Sequence, residues 1–286
     1  MEPLALALML AATMCWALDQ VTGKLAVKKM DVSIFNAIRP SAALPLAVLY
    51  VILTGDFRIS ELKFIFAGVL EGVIGWCASL QLYFYLLKKG FGHRILPISN
   101  SHALWGVIFA VLFLGEVARP AIFVSATSIV IGAYFLTLRG DKSGHCSFVM
   151  VPLAFLVAAM WGSNIVLSKY CIGGGMTMGT LLVIITASAT VSCNMTMIFT
   201  HIKSKIKLDK RGIGLSVLSG TLGFFVGQIL SFLALRMEKA STLSPLYGCT
   251  ILFGFILSVL ILGERPSKSA ILGMIFILIG VSLATV

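Results

Sequence analysis

Residues 94–137 read RILPISNSHALWGVIFAVLFLGEVARPAIFVSATSIVIGAYFLT, and residues 242–285 read TLSPLYGCTILFGFILSVLILGERPSKSAILGMIFILIGVSLAT. At a constant offset of 148 positions Pro97 falls on Pro245, Leu114-Gly115-Glu116 on Leu262-Gly263-Glu264, Gly132 on Gly280 and Thr137 on Thr285. Outward from there, at an offset of 145, Trp16 falls on Trp161, Asp19 on Asn164 and Lys24 on Lys169. Self-similarity at a fixed spacing is the signature of a repeated unit. The chain therefore reads as a duplication, with one copy over residues 1–140 and the other over 147–286.

Both copies are strongly apolar. Of the 286 residues 59% are hydrophobic and only 12% are charged, and the mean hydropathy is +1.03. A soluble domain carries roughly twice that charged fraction, so a cytosolic enzyme, a nucleic-acid binder and a disordered regulator are all poor readings. The net charge of +11 lies mostly in short gaps between apolar runs, which makes lipid headgroups its partners. A membrane span takes about 20 apolar residues. Ten stretches qualify: 3–23, 33–53, 62–87, 94–114, 119–138, 148–169, 177–201, 212–235, 242–262 and 266–286.

The expected fold class is thus all-α and integral to the membrane, with backbone polar groups satisfied inside each helix. Five spans per copy is an odd number, so the second copy enters the membrane in the opposite sense to the first. Inverted repeats of this kind are typical of secondary transporters. The start Met1-Glu2-Pro3 lacks a basic n-region, and no cleaved signal peptide is expected. The six cysteines show no C-x-x-C pair and read as packing residues. The expected location is the cell membrane, with multiple passes.

Met160-Trp161-Gly162-Ser163-Asn164 followed by Lys169, its counterpart Cys15-Trp16-Ala17 followed by Lys24, and the run from Leu235-Arg236-Met237-Glu238-Lys239-Ala240-Ser241 to Leu262-Gly263-Glu264 carry a family likeness. Over nearly its whole length the chain resembles the EamA-type branch of the drug/metabolite transporter superfamily. The resemblance implies a ten-helix bundle with a central cavity that exports or exchanges small metabolites. The chain departs from the usual pattern at Lys88-Lys89-Gly90-Phe91-Gly92-His93-Arg94, where small residues are common. Alternate loops hold 15 Lys and Arg on one side and 6 on the other, which by the positive-inside rule puts both termini outside. The resemblance implies termini in the cytoplasm, and the two readings stand side by side.

Ionisable groups inside spans are costly and need a reason. Asp19 follows Trp16 by one turn on the same face, and an anion beside an aromatic ring suits an amine or ammonium group; alternatively it bonds Lys24 or nearby backbone. Glu71 precedes Gly75 and Ser79 at four-residue steps. A carboxyl group withdrawn from water holds its proton more readily, which suits proton coupling; a salt bridge with Arg39 is the other reading. His102 shares a face with Trp105, Gly106 and Phe109 and titrates in the range useful for coupling, or serves as an interhelical hydrogen bonder. Gln81 and Gln228 occupy nearly equivalent places and either contact substrate or link helices. Trp16, Trp161 and Trp76 are expected to line the pocket with Asp19 and Asn164. Tyr83, Tyr85 and Tyr247 read as packing or interface residues. Lys24 and Lys169 are possible anion contacts, or else snorkel to headgroups or cap helix ends. Glu116 and Glu264 read as turn or packing residues.

No metal-ligand spacing, cofactor motif or nucleotide-binding loop is present, so no metal or cofactor is expected and gradient-driven transport remains. The favoured expectation is a secondary transporter of a small amphipathic metabolite such as an amino acid or organic amine, with Glu71 or His102 carrying any coupled proton. A sugar-phosphate or other anion exchanger would use Lys24, Lys169 and Arg39. A membrane scaffold or intramembrane enzyme is the reading from another class, although the polar groups look isolated rather than gathered at one depth.

Overall fold

The computed structural model describes residues 1–58, 60–88, 98–137, 150–201, 209–262 and 267–285, and every regular element among them is helical. The first half contains α1 (Pro3–Ala26), α2 (Val32–Thr54), α3 (Leu62–Leu70), a π-helical segment π1 (Glu71–Ala78), α4 (Ser79–Lys88), α5 (His102–Leu114) and α6 (Pro120–Thr137). The second contains α7 (Met150–Gly173), α8 (Met178–His201), α9 (Lys210–Gly220), a second π segment π2 (Thr221–Gly227), α10 (Gln228–Met237), α11 (Ala240–Tyr247), α12 (Cys249–Leu262) and α13 (Lys268–Thr285).

Seven helical runs among the described residues are long and apolar enough to cross a membrane: Pro3–Ala26, Val32–Thr54, Leu62–Leu86, Met150–Gly173, Met178–His201, Lys210–Met237 and Ala240–Leu257. The shorter apolar helices His102–Leu114, Pro120–Phe135 and Lys268–Ala284 lie within the fourth, fifth and tenth expected spans. Helix ends follow local chemistry. Asp31 accepts the Ser33 N–H at 3.0 Å to start α2, and Asp209 accepts the Gly212 N–H at 2.8 Å to start α9. That bond, with Lys29 and Arg211 nearby, holds the Asp209 carboxyl below the usual carboxylate range. At the end of α5, Gly115 adopts φ 64°, a left-handed conformation that costs a side chain dearly. The glycine of the Leu114-Gly115-Glu116 motif is thereby explained. The departure at 88–94 falls almost wholly outside the described residues, as does Glu264.

The two halves pack by matched contacts. Gly132 of α6 lies against the Gly273 carbonyl and Ile277, while Gly280 of α13 lies against the Ser125 carbonyl and Ile129. Adding 148 to one set of numbers gives the other. Gly72 of π1 abuts Ile185 and Ser188 of α8, and Gly220, its equivalent, abuts the Arg39 carbonyl of α2. In the same way α5 packs on α7 and α1 on α12, and α2 packs on α8 and α6 on α13. Close backbone approach at small residues is how helices associate where lipid supplies no hydrophobic drive.

Candidate functional site

The site is built where the third span of each half meets the first span of the other. A π segment accommodates one extra residue per turn and shifts the backbone hydrogen-bond ladder. In π2 the Gly223 carbonyl accepts the Trp16 indole N–H at 3.1 Å. Gly223 leaves room for Asp19, and Gly75, its equivalent in π1, leaves room for Asn164. A side chain at either glycine would occupy the space of that polar group. Each half therefore supplies both a polar residue on its first helix and the glycine that receives the other's.

Between these contacts lies a cavity with about 110 Å³ of space for water-sized groups. Its walls are aromatic. Trp16 packs on Tyr247 with ring centroids 4.9 Å apart, Trp161 on Tyr83 at 4.9 Å, and Trp76 on Phe224 at 4.5 Å. The His102 ring stands edge-on to Trp161 at 5.6 Å, with Nδ1 3.1 Å from the Ser99 carbonyl. The Tyr247 and Ser231 hydroxyls are 2.7 Å apart.

Two polar clusters face the cavity. In one, Arg39 forms a buried ion pair with Asp19; Asp19 also accepts a hydrogen bond from Ser219 of α9. In the other, the Glu71 carboxylate is fully buried, with the Ser168 hydroxyl 2.8 and 2.9 Å from its two oxygens and Gln228 Nε2 donating at 3.4 Å. Glu71 thus has neutral partners, whereas Asp19 has a full counter-charge. Among the described residues no group of three or more His, Cys, Asp or Glu side chains is arranged to hold a metal ion.

The sequence profile of the EamA-like transporter family matches residues 3–138 and 149–286, one match for each half. The chain belongs to the EamA-like transporter family. No curated protein matches the sequence. Among solved structures, one described only as "Crystal structure of protein" is similar with a TM-score of 0.82 and 14% identity, covering 100% of this chain and 97% of the other. At that identity the likeness concerns the fold alone. This EamA-like chain is a multi-pass membrane protein of a transporter family.

Of the residues singled out in the sequence, the EamA-like fold brings Trp16, Asp19, Glu71, Trp76, His102, Trp161, Asn164 and Gln228 to the cavity. Three others lie elsewhere. Gln81 lies between the lining residues Leu80 and Tyr83 of its span but is not itself part of the lining, and its Nε2 is buried without a hydrogen-bond partner. Lys24 is exposed at the end of α1. Lys169 donates to the Leu235 and Glu238 carbonyls at 2.6 and 2.7 Å, so it caps the end of α10 and is not an anion contact in this arrangement. Asp19 pairs with Arg39 rather than with Lys24, and Glu71 pairs with Ser168 rather than with Arg39.

Several cavity residues had no functional reading in the sequence: Phe35, Tyr83, Phe84, Ser168, Tyr247 and Thr250. Two of them carried a usable signal. Ser168 continues the Trp161–Asn164 stripe as Gly23 continues that of Trp16 and Asp19, and Thr250 is the repeat equivalent of His102.

Proposed function

We propose that this protein is a secondary transporter that exports or exchanges a small amphipathic metabolite bearing an amine, an amino acid or a related organic amine. Two five-helix halves, inverted relative to each other across ten spans, alternately expose the central cavity as one rocks against the other. The observation that carries this reading is the aromatic cavity between the halves with Glu71 buried in its wall. The rings provide an apolar body site and cation attraction. Glu71, held by a hydroxyl and an amide, is the carboxylate able to accept an ammonium group without first surrendering a cation. Asp19 is occupied by Arg39.

Glu71 also serves as the coupling group. A proton on the carboxyl and an ammonium group beside the carboxylate are alternative ways of neutralising the same buried charge, so one leaves as the other binds. Of the three cations the anion-exchanger reading would use, only Arg39 lines the cavity, and it is paired with Asp19; neither Lys24 nor Lys169 is part of the lining. A test uses purified protein in liposomes with a panel of labelled amino acids and amines under an imposed proton gradient. Specific flux that Glu71→Gln reduces by about a hundredfold or more, the scale of a lost proton-transfer group, is the expected result; a scaffold gives no flux above empty liposomes.

A further inference from the structure

The cavity is symmetric in shape and one-sided in charge. Among the described residues that line it, the carboxylates, the guanidinium and the imidazole all come from the first half: Asp19, Arg39, Glu71 and His102. The repeat-equivalent positions hold Asn164, Ile185, Ser219 and Thr250, Ile185 meeting Gly72 through its carbonyl as Arg39 meets Gly220. Ser219 is the hydroxyl that bonds Asp19, so even the second half's contribution to that cluster is neutral. Whatever charged groups a solute carries, it meets them on one wall.

Arg39 is not fully used by its partners. Its Nη2 binds Asp19 and its Nη1 lies 3.4 Å from Asn36 Oδ1, but its Nε–H has no partner although the residue is only 3% exposed. Phe35 and Phe224 hold the guanidinium at 4.9 and 5.0 Å from their ring centroids. Two buried acceptors beside the cavity are likewise unpartnered, Asn164 Oδ1 and Gln228 Oε1, the second on the side chain that reaches Glu71. A buried polar atom without a partner costs free energy that a ligand can return.

We propose that Arg39 reads an anionic group on the transported solute, so that the cavity selects zwitterions over simple amines. This rests on the amine-carrier reading above and narrows it. The solute's carboxylate accepts from the unpartnered Arg39 Nε–H, and its ammonium donates to Glu71, Gln228 and Asn164. An amine without a carboxylate satisfies only the second cluster. An acid without an amine leaves Glu71 facing uncompensated acceptors.

The test titrates purified full-length protein with leucine, leucinamide and N-acetyl-leucine, and with the phenylalanine counterparts, reading affinity from the rise in melting temperature. The expected result is that at least one amino acid stabilises and that both of its blocked derivatives bind more weakly by about tenfold or more, the loss of one charge-assisted hydrogen bond. In Arg39→Gln the amino acid and its amide become indistinguishable. In Asp19→Asn, where Arg39 is released from its carboxylate, the N-acetyl acid gains affinity; this variant decides the matter should Arg39→Gln not fold. If the amide binds the unaltered protein as tightly as the amino acid, Arg39 reads no anion while the amine-carrier reading stands. If no member of either set shifts the melting point and none is carried into liposomes, both readings fall.

Discussion

Asp19 and Arg39 are 5% and 3% exposed, and each is the other's reason for being tolerated inside the membrane. Removing one member of a buried pair strands the other charge, at a cost of about 3–5 kcal/mol, whereas removing both costs much less. Asp19→Ala is therefore expected to lower stability by that amount, and Asp19→Ala with Arg39→Leu to recover most of it, measured by unfolding in detergent. Asp19 was legible in the sequence because it repeats the face of Trp16 at three residues. Its partner was not. Lys24 lies nearer along the chain, but five residues turn a helix by about 500°, leaving the side chain roughly 140° away on the far face. Arg39 is on a different helix, and only the packing of both α1 and α2 against α9 and π2 brings it within reach. The same limit hid Ser168 as the partner of Glu71.

The break between α10 and α11 shows how motifs act at the level of elements. Lys169 of α7 binds the last carbonyls of α10, while the Glu116 carboxylate accepts the N–H groups of Ala240 and Ser241 at 3.0 and 2.8 Å in the first turn of α11. A cation on a helix C-terminus and an anion on the next N-terminus both match the helix dipole. The Leu114-Gly115-Glu116 motif thus ends one helix and begins another in the opposite half. Lys169→Met is expected to cost about 2 kcal/mol and Glu116→Ala about 1–2 kcal/mol in stability. Both should leave ligand affinity within about twofold, since a 1.4 kcal/mol change would be tenfold and neither residue lines the cavity; titration of each variant checks this. The motif itself was plain in the sequence as a turn signal. Its target was not, because the acceptor and the donors are separated by more than a hundred residues. The π segments were equally hidden: one extra residue in a turn leaves no mark on apolar periodicity, and only the glycines at 72, 75, 220 and 223 hinted at close approach.

At the scale of the molecule, the duplication and the helical class were readable because offsets of 145 and 148 align whole spans. The gathering of isolated polar residues around one cavity was not, since it depends on each third span crossing to the opposite half. The matched contacts also make a symmetric experiment possible. Asn164→Asp copies Asp19 into the second half, but Ile185 stands where Arg39 would be, and Glu71 also lines the cavity. A loss of about 3 kcal/mol in stability is expected from the uncompensated charge, with part of it restored by adding Ile185→Arg; melting temperatures of the single and double variants decide. The one-sided charge bears on why the two units are a single polypeptide. Two identical five-helix chains, associated as a dimer through the same glycine contacts, would carry every cavity residue twice and put two glutamates and two ion pairs into one site. In a single chain the two copies need not match, and here the first holds the charged groups while the second supplies their neutral partners, Ser168, Ser219 and Gln228.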